Sequence, residues 1–280
     1  MIAAMPRPVP PKKSSFSAVS RSPRSVSTPK PVADETLRVA GLPAVEALFA
    51  RRPQDVLRLF YETRMKARVG EFCKILAADR RPYRLVDDQE LAKVAGTQLH
   101  GGIVAVARPR PVVPFTPALA AAWAKAGIPL LLLDGVGNPH NLGAIVRTMA
   151  FFGLEHLLIS GHPGQAGPSE AAHRVAEGGL DWVTLYRAEP FAAALGELHG
   201  AGYRVAGTAL EHAKPLATLP HDRPLAIVLG NEEDGLPATT LRACDTIVKL
   251  PGSGRVQSLN VAATAAILTW ELTRPSGSPA

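Results

Sequence analysis

The sequence predicts an α/β protein in which a small α/β domain precedes a larger one built on a parallel sheet. Two observations carry this prediction. From Leu130 onward, short apolar runs alternate with helical segments, and nearly continuous apolar strands spaced by helices imply a parallel sheet covered on both faces. Upstream, a segment of mixed helix and strand signals is closed off by RPRPVVPFTP, whose Pro109, Pro111, Pro114 and Pro117 mark a stiff linker and a boundary near residue 110.

Taken in order, residues 1–33 hold seven Pro and seven Ser with few large apolar side chains. That is too little burial to offset the entropy of ordering, so a disordered tail is predicted. Its acid-free, Arg- and Ser-rich composition also fits a transit peptide, although the proline density opposes the amphipathic helix such a peptide forms. In residues 34–108, Leu42 to Ala50 reads as a helix opening near Pro43, Val56 to Tyr61 as a strand, Val69 to Asp79 as a helix and Tyr83 to Val86 as a strand. Gly102 to Ala107, GIVAVA, suits a buried strand. The linker covers 109–118 and the second domain 119–274, with residues 275–280 as a further disordered tail. Within the second domain, strand Leu130 to Asp134 leads to a helix from Asn141, His156 to Ser160 to a helix from Ser169, and Trp182 to Tyr186 to a helix from Pro190. Strand Tyr203 to Gly207 follows. Leu225 to Gly230 then precedes a helix near Thr239 to Ala243, and Thr246 to Leu250 precedes a helix from Ser258 to Leu272.

With 280 residues, 46% of them hydrophobic, the chain can bury a full core. No apolar run approaches the roughly 18 to 20 residues that span a bilayer, so no membrane insertion is expected. Cys73 and Cys244 lie far apart without a CxxC or a His/Cys cluster, which supports neither a disulfide framework nor a metal site and fits the cytoplasm. The net charge of +7 is uneven. Residues 1–33 carry six Lys/Arg and no acid, residues 34–110 carry 14 basic against 10 acidic side chains, and residues 111–280 carry 11 against 14. A polyanion gripped by the first half fits this asymmetry; a solubilising tail beside an ordinary surface fits it as well.

Three stretches of the second domain concentrate chemistry. NPHNLGAIVRTMAFFG follows a strand and opens a helix near Asn141. Leu142, Ile145, Val146 and Met149 fall on one face of it, while Arg147 has small neighbours three and four residues away that would admit a ligand or another backbone. A solvated arginine is the plain alternative. LAIVLGNEEDGLP runs a buried strand into Gly230 and then crowds Asn231, Glu232, Glu233 and Asp234 at the C-terminal end of the sheet, where open α/β folds bind ligands. An acidic solvated turn is the alternative there. VKLPGSGRVQSLNVAATAAI has the strand, Gly-rich loop and helix that cradle nucleotides, but matches neither GxxxxGK[ST] nor GxGxxG; Ser258 and Asn260 could simply cap the helix.

Together, NLGAIVR, LGNEEDG and LPGSGRVQSLNVAATAA resemble the three signature motifs of the SpoU (TrmH) family of RNA 2'-O-ribose methyltransferases, in the SPOUT superfamily. The resemblance covers roughly residues 37–274, GTQLHGGIVAVARP being similar to the end of that family's small substrate-binding domain. HGGIV, AAHRVAEGG and the GSG loop most resemble a less characterised tRNA/rRNA methyltransferase branch. Glu233 and Asp234 depart from the GNEGEG common in the family, as do Gly101, Gly252 and Ala262 from residues frequent at their positions, which leaves the RNA target open.

The resemblance implies a parallel-sheet domain with a deep trefoil knot, a homodimer, an rRNA or tRNA substrate and S-adenosylmethionine (AdoMet) as cofactor. It places Arg147, Asn141, Glu232, Ser258 and Asn260 at the catalytic positions. Gly230, Leu250 and Leu259 line the cofactor, with Thr208, Asn231 and Leu229 nearby. RNA contacts are expected from the basic segment, at Arg51, Arg52, Arg64, Lys66, Arg68, Arg80 and Arg81. Two rival readings remain: a knotted RNA-binding protein without turnover, and an α/β enzyme of the nucleotide-phosphate class.

Overall fold

The computed structural model describes residues 36–273; the tails expected at 1–33 and 275–280 lie outside the described residues. The first sheet contains β1 (Leu37–Ala40), β2 (Val56–Tyr61), β3 (Tyr83–Leu85) and β4 (Ile103–Ala107) in the order β1-β4-β2-β3. Strand β4 runs antiparallel to both neighbours and is wholly buried, as its β-branched run predicts. Helices α1 (Leu42–Arg51), α2 (Gly70–Ala78) and α3 (Asp88–Ala95) accompany this sheet. Helix α3 is absent from the sequence expectation, although Asp87 caps it by accepting the Glu90 N–H at 2.7 Å.

The second sheet begins inside the predicted linker. Val113–Pro114 forms β5 at the sheet edge, where proline costs no ladder bond, and Pro117 opens α4 (Pro117–Lys125). Then come β6 (Leu130–Asp134), α5 (Pro139–Phe152), β7 (His156–Ser160), α6 (Glu170–Ala176), α7 (Gly179–Trp182) and β8 (Thr184–Ala188). Trp182 therefore ends a short helix instead of starting a strand. The chain closes with α8 (Phe191–Gly200), β9 (Arg204–Thr208), β10 (Lys214–Pro215), β11 (Leu225–Gly230), α9 (Ala238–Arg242), β12 (Thr246–Lys249) and α10 (Val261–Thr273).

The strand order is β10-β12-β9-β11-β6-β7-β8-β5, and every pairing is parallel. Strand β6 shows why both faces must be covered. Its alternate residues Leu131 and Leu133 pack with α5 residues Leu142, Ile145 and Met149, whereas Leu130 and Leu132 pack with Trp123 of α4 and Leu195 of α8. The order reverses between β6 and β11, which sets Asp134 beside Gly230 at the C-terminal ends of the strands. A crevice at such a reversal is the usual ligand site of this architecture.

Arg52, the residue after α1, fastens the first domain to the second. Its Nε donates to Asp181 Oδ1 at 2.6 Å and its Nη1 to the Arg108 carbonyl at 2.7 Å. Arg110 donates to the carbonyls of Leu180, Asp181 and Val183 at the end of α7. Burial raises the Asp181 carboxyl above its ordinary range, against the downward pull of Arg52 and Arg110. Burial, helped by the Arg52 charge, lowers His173 in α6 from 6.5 to about 4. The unfolded chain therefore binds a proton here that the folded chain refuses, so His173 lowers stability as pH falls from about 6.5 toward 4. Thermal midpoints should drop across that window, and less steeply in His173→Asn.

Candidate active site

Helix α5 starts earlier than the sequence suggests. Asn138, not Asn141, is its N-cap, accepting the His140 N–H at 2.8 Å, with Pro139 in the first turn. This frees the Asn141 side chain. Asn141 Nδ2 donates to Glu232 Oε1, and Asn141 Oδ1 accepts from Asn260 Nδ2 at 3.2 Å. Residues from three separate stretches thus join in one hydrogen-bonded row beside the ends of β6 and β11. Asn260 also caps α10, its Oδ1 accepting the Ala262 N–H at 2.8 Å.

The turn after β11 is held by Asn231. Its backbone exchanges hydrogen bonds with Gly235 at 3.0 and 3.1 Å, its Oδ1 accepts the N–H groups of Glu233 and Asp234, and its Nδ2 donates to the Gly135 carbonyl at 3.0 Å. Gly230 must be glycine because an added Cβ would overlap the Gly235 carbonyl. Leu229 is buried in the core, so only its backbone faces the crevice. Thr208 ends β9 with its hydroxyl donating to the Val228 carbonyl at 3.0 Å. Leu250 packs partly on the core, while Ser258 and Leu259 are exposed in the loop before α10.

Arg147 does not reach this row within its own chain. It lies six residues beyond Asn141, about 9 Å along the helix and about 120° around it. It is exposed, and its Nη2 pairs with Glu177 Oε2 at 2.9 Å. Glu177 lies within AAHRVAEGG, 30 residues from Arg147, and nothing in a linear sequence signals this contact.

Among the expected RNA contacts, Arg51, Arg64, Lys66, Arg68 and Arg80 are exposed. Arg52 is a correction: only 5% exposed and bonded to Asp181, it cannot present its charge to a polyanion. Arg81 is also largely committed internally, donating to the carbonyls of Pro53 and Val56 at 2.6 Å. Both basic residues read as surface charge because the sequence carries no sign of their partners.

Among the described residues one trio could hold a metal, Glu62, Asp88 and His100. The Gly102 N–H donates to His100 Nδ1 at 3.2 Å. Nδ1 is thereby engaged, and the buried Nε2, with no hydrogen-bond partner of its own, lies 3.3 Å from Asp88 Oδ1. Both cysteines are free, and burial pushes the Cys244 thiol up to about 12, leaving it unreactive. No helix among the described residues is long and apolar enough to cross a membrane.

Two family models match the chain: the SpoU rRNA Methylase family over residues 129–270, and RNA 2'-O ribose methyltransferase substrate binding over residues 38–113. An uncharacterized tRNA/rRNA methyltransferase from Escherichia coli O157:H7, YfiF, is 34% identical over 239 residues, 85% of this chain and 68% of its own length. The 23S rRNA (guanosine-2'-O-)-methyltransferase RlmB of Nitrosomonas europaea is 32% identical, covering 84% of this chain and 90% of its own. An rRNA methyltransferase from Sinorhizobium meliloti, solved also with AdoMet bound, shares the fold with a TM-score of 0.71 at 22% identity, over 85% of this chain and 87% of that one.

Proposed function

The chain belongs to the SpoU RNA methylase family, and we propose that it transfers the methyl group of AdoMet to a ribose 2'-hydroxyl of structured RNA, rRNA or tRNA, in the cytoplasm and without a metal ion. The observation that carries this reading is the row Asn260–Asn141–Glu232, which gathers three distant motifs at the strand reversal. The residues present fit the cofactor. Gly230 at the end of β11, Leu250 after β12 and Leu259 before α10 offer backbone groups, with Thr208, Asn231 and Leu229 beside them. When bound, AdoMet supplies a methyl on a sulfonium centre whose leaving group departs neutral, so no acid is required of the protein.

What the protein must supply is alignment and a more nucleophilic oxygen, and alignment can be worth roughly 7 to 11 kcal/mol. The amide groups of Asn260 and Asn141 and the Glu232 carboxylate orient the ribose, with Ser258 on the loop above them. Arg147 binds the adjacent phosphate and stabilises the developing alkoxide. A guanidinium stays protonated at any ordinary pH, so a phosphate oxygen or solvent takes the proton.

Arg147 meets the row across a homodimer. Four residues after it on the same helix face stands Phe151, 83% exposed, and Trp270 of α10 is 55% exposed, with Phe152 meeting the first ring edge-on and the second at a tilt. Pairing two copies through α5 and α10 would cover this apolar surface and carry each Arg147 to the other copy's Asn260. We read the return of the chain from β12 near one side of the sheet to α10 over β11 and β6 as the trefoil knot.

The test is labelled-methyl transfer from AdoMet to bulk RNA from cells lacking the gene. Label recovered in alkali-resistant dinucleotides is expected; AdoMet binding without transfer would instead favour the silent RNA-binding reading. Gly230→Ala should weaken AdoMet binding by calorimetry roughly tenfold or more, since the Asn231–Gly235 turn must move.

A further inference from the structure

We infer that Glu177 is a positioning residue that sets the direction of the Arg147 guanidinium and ties it to the docked RNA-binding domain. The inference rests on the reading of Arg147 as the catalytic arginine. Glu177 ends α6 at φ 44° and ψ 46°, the left-handed conformation that favours glycine. Two glycines follow it, yet this position keeps a carboxylate, and that carboxylate lies 2.9 Å from Arg147 Nη2.

The turn around it touches both partners. A Cβ on Gly178 would collide with Ala47 and the Pro43 carbonyl of α1, so the turn lies flush against the small domain. A Cβ on Gly179 would come within 3.0 to 3.2 Å of the backbone of Val146 and Arg147, so the same turn packs closely against α5 at the arginine itself. Two residues on, Asp181 receives Arg52. Glu177 is therefore fixed by backbone on both sides, and its carboxylate occupies one edge of the guanidinium while leaving the other edge for phosphate and ribose.

Glu177→Gly removes the carboxylate and relaxes the backbone, so folding is kept. In the labelled-methyl assay on RNA from cells lacking the gene, kcat should fall roughly tenfold, with KM for AdoMet and the thermal midpoint no worse than in the unaltered chain. Glu177→Asp should restore part of the loss, and Glu177→Gly should cost nothing further in an Arg147→Ala background. Full turnover of Glu177→Gly beside an inactive Arg147→Ala overturns this inference and leaves the catalytic reading standing. Full turnover of Arg147→Ala overturns both. A thermal midpoint that falls together with kcat assigns Glu177 to the helix end instead. Independently of turnover, nitrogen-15 relaxation of the Arg147 Nε–H should report a restrained side chain that becomes mobile in Glu177→Gly; unchanged mobility overturns the inference.

Discussion

Arg147→Ala lowers kcat for methyl transfer by roughly 10²- to 10³-fold, the usual loss when a preorganised donor to a developing oxyanion is removed. AdoMet binding by calorimetry stays unchanged, because in the proposed site backbone groups of Gly230, Leu250 and Leu259 hold the cofactor and the guanidinium serves the RNA. Arg147→Lys also loses most of the activity, since an ammonium is a point charge and cannot hold phosphate and 2'-oxygen together. Near-normal turnover in the lysine variant would mean that charge alone suffices and that orientation by the planar fork is the wrong explanation.

Arg52→Met destabilises the protein by about 3 to 5 kcal/mol, measured by urea unfolding, because it strands the Asp181 carboxylate in the domain junction. Asp181 is 1% exposed, so water cannot replace the lost partner. The double variant Arg52→Met with Asp181→Leu recovers most of the loss, as apolar replacement of a whole buried pair often does. Equal losses in the single and double variants would show that Arg52 acts through its bonds to Asp55 and the Arg108 carbonyl instead.

The parallel sheet was legible because strands such as LLLLD, apolar on both faces, have no other home than between two helical layers. The site was legible in part. Asn141, Glu232 and Asn260 sit in motifs that also mark strand ends, and the fold brings them into one row. Proline misled in two places: Pro117 opens a helix where the cluster suggested only linker, and Pro139 moves the start of α5 back to Asn138. The second shift matters for chemistry, since it leaves the Asn141 Oδ1 free to accept from Asn260. Asp87 and Glu90 carried a capping pattern that pointed to α3 without a long apolar face to support it. Arg52, Asp181 and Glu177 were illegible for a different reason. Their roles depend on partners 129 residues apart for the first pair and 30 for Glu177 and Arg147, and charge in a sequence reads as surface until the fold supplies the partner.

The most direct test is subunit complementation. Arg147→Ala and Asn260→Ala chains, each inactive alone, are mixed, allowed to exchange and assayed for labelled-methyl transfer to RNA from cells lacking the gene. If the guanidinium of one copy serves the asparagine row of the other, each mixed dimer holds one intact site, and activity returns toward about a quarter of normal for random pairing of two chains. If mixed dimers form and activity does not return, the two residues do not meet across the dimer and the account is contradicted.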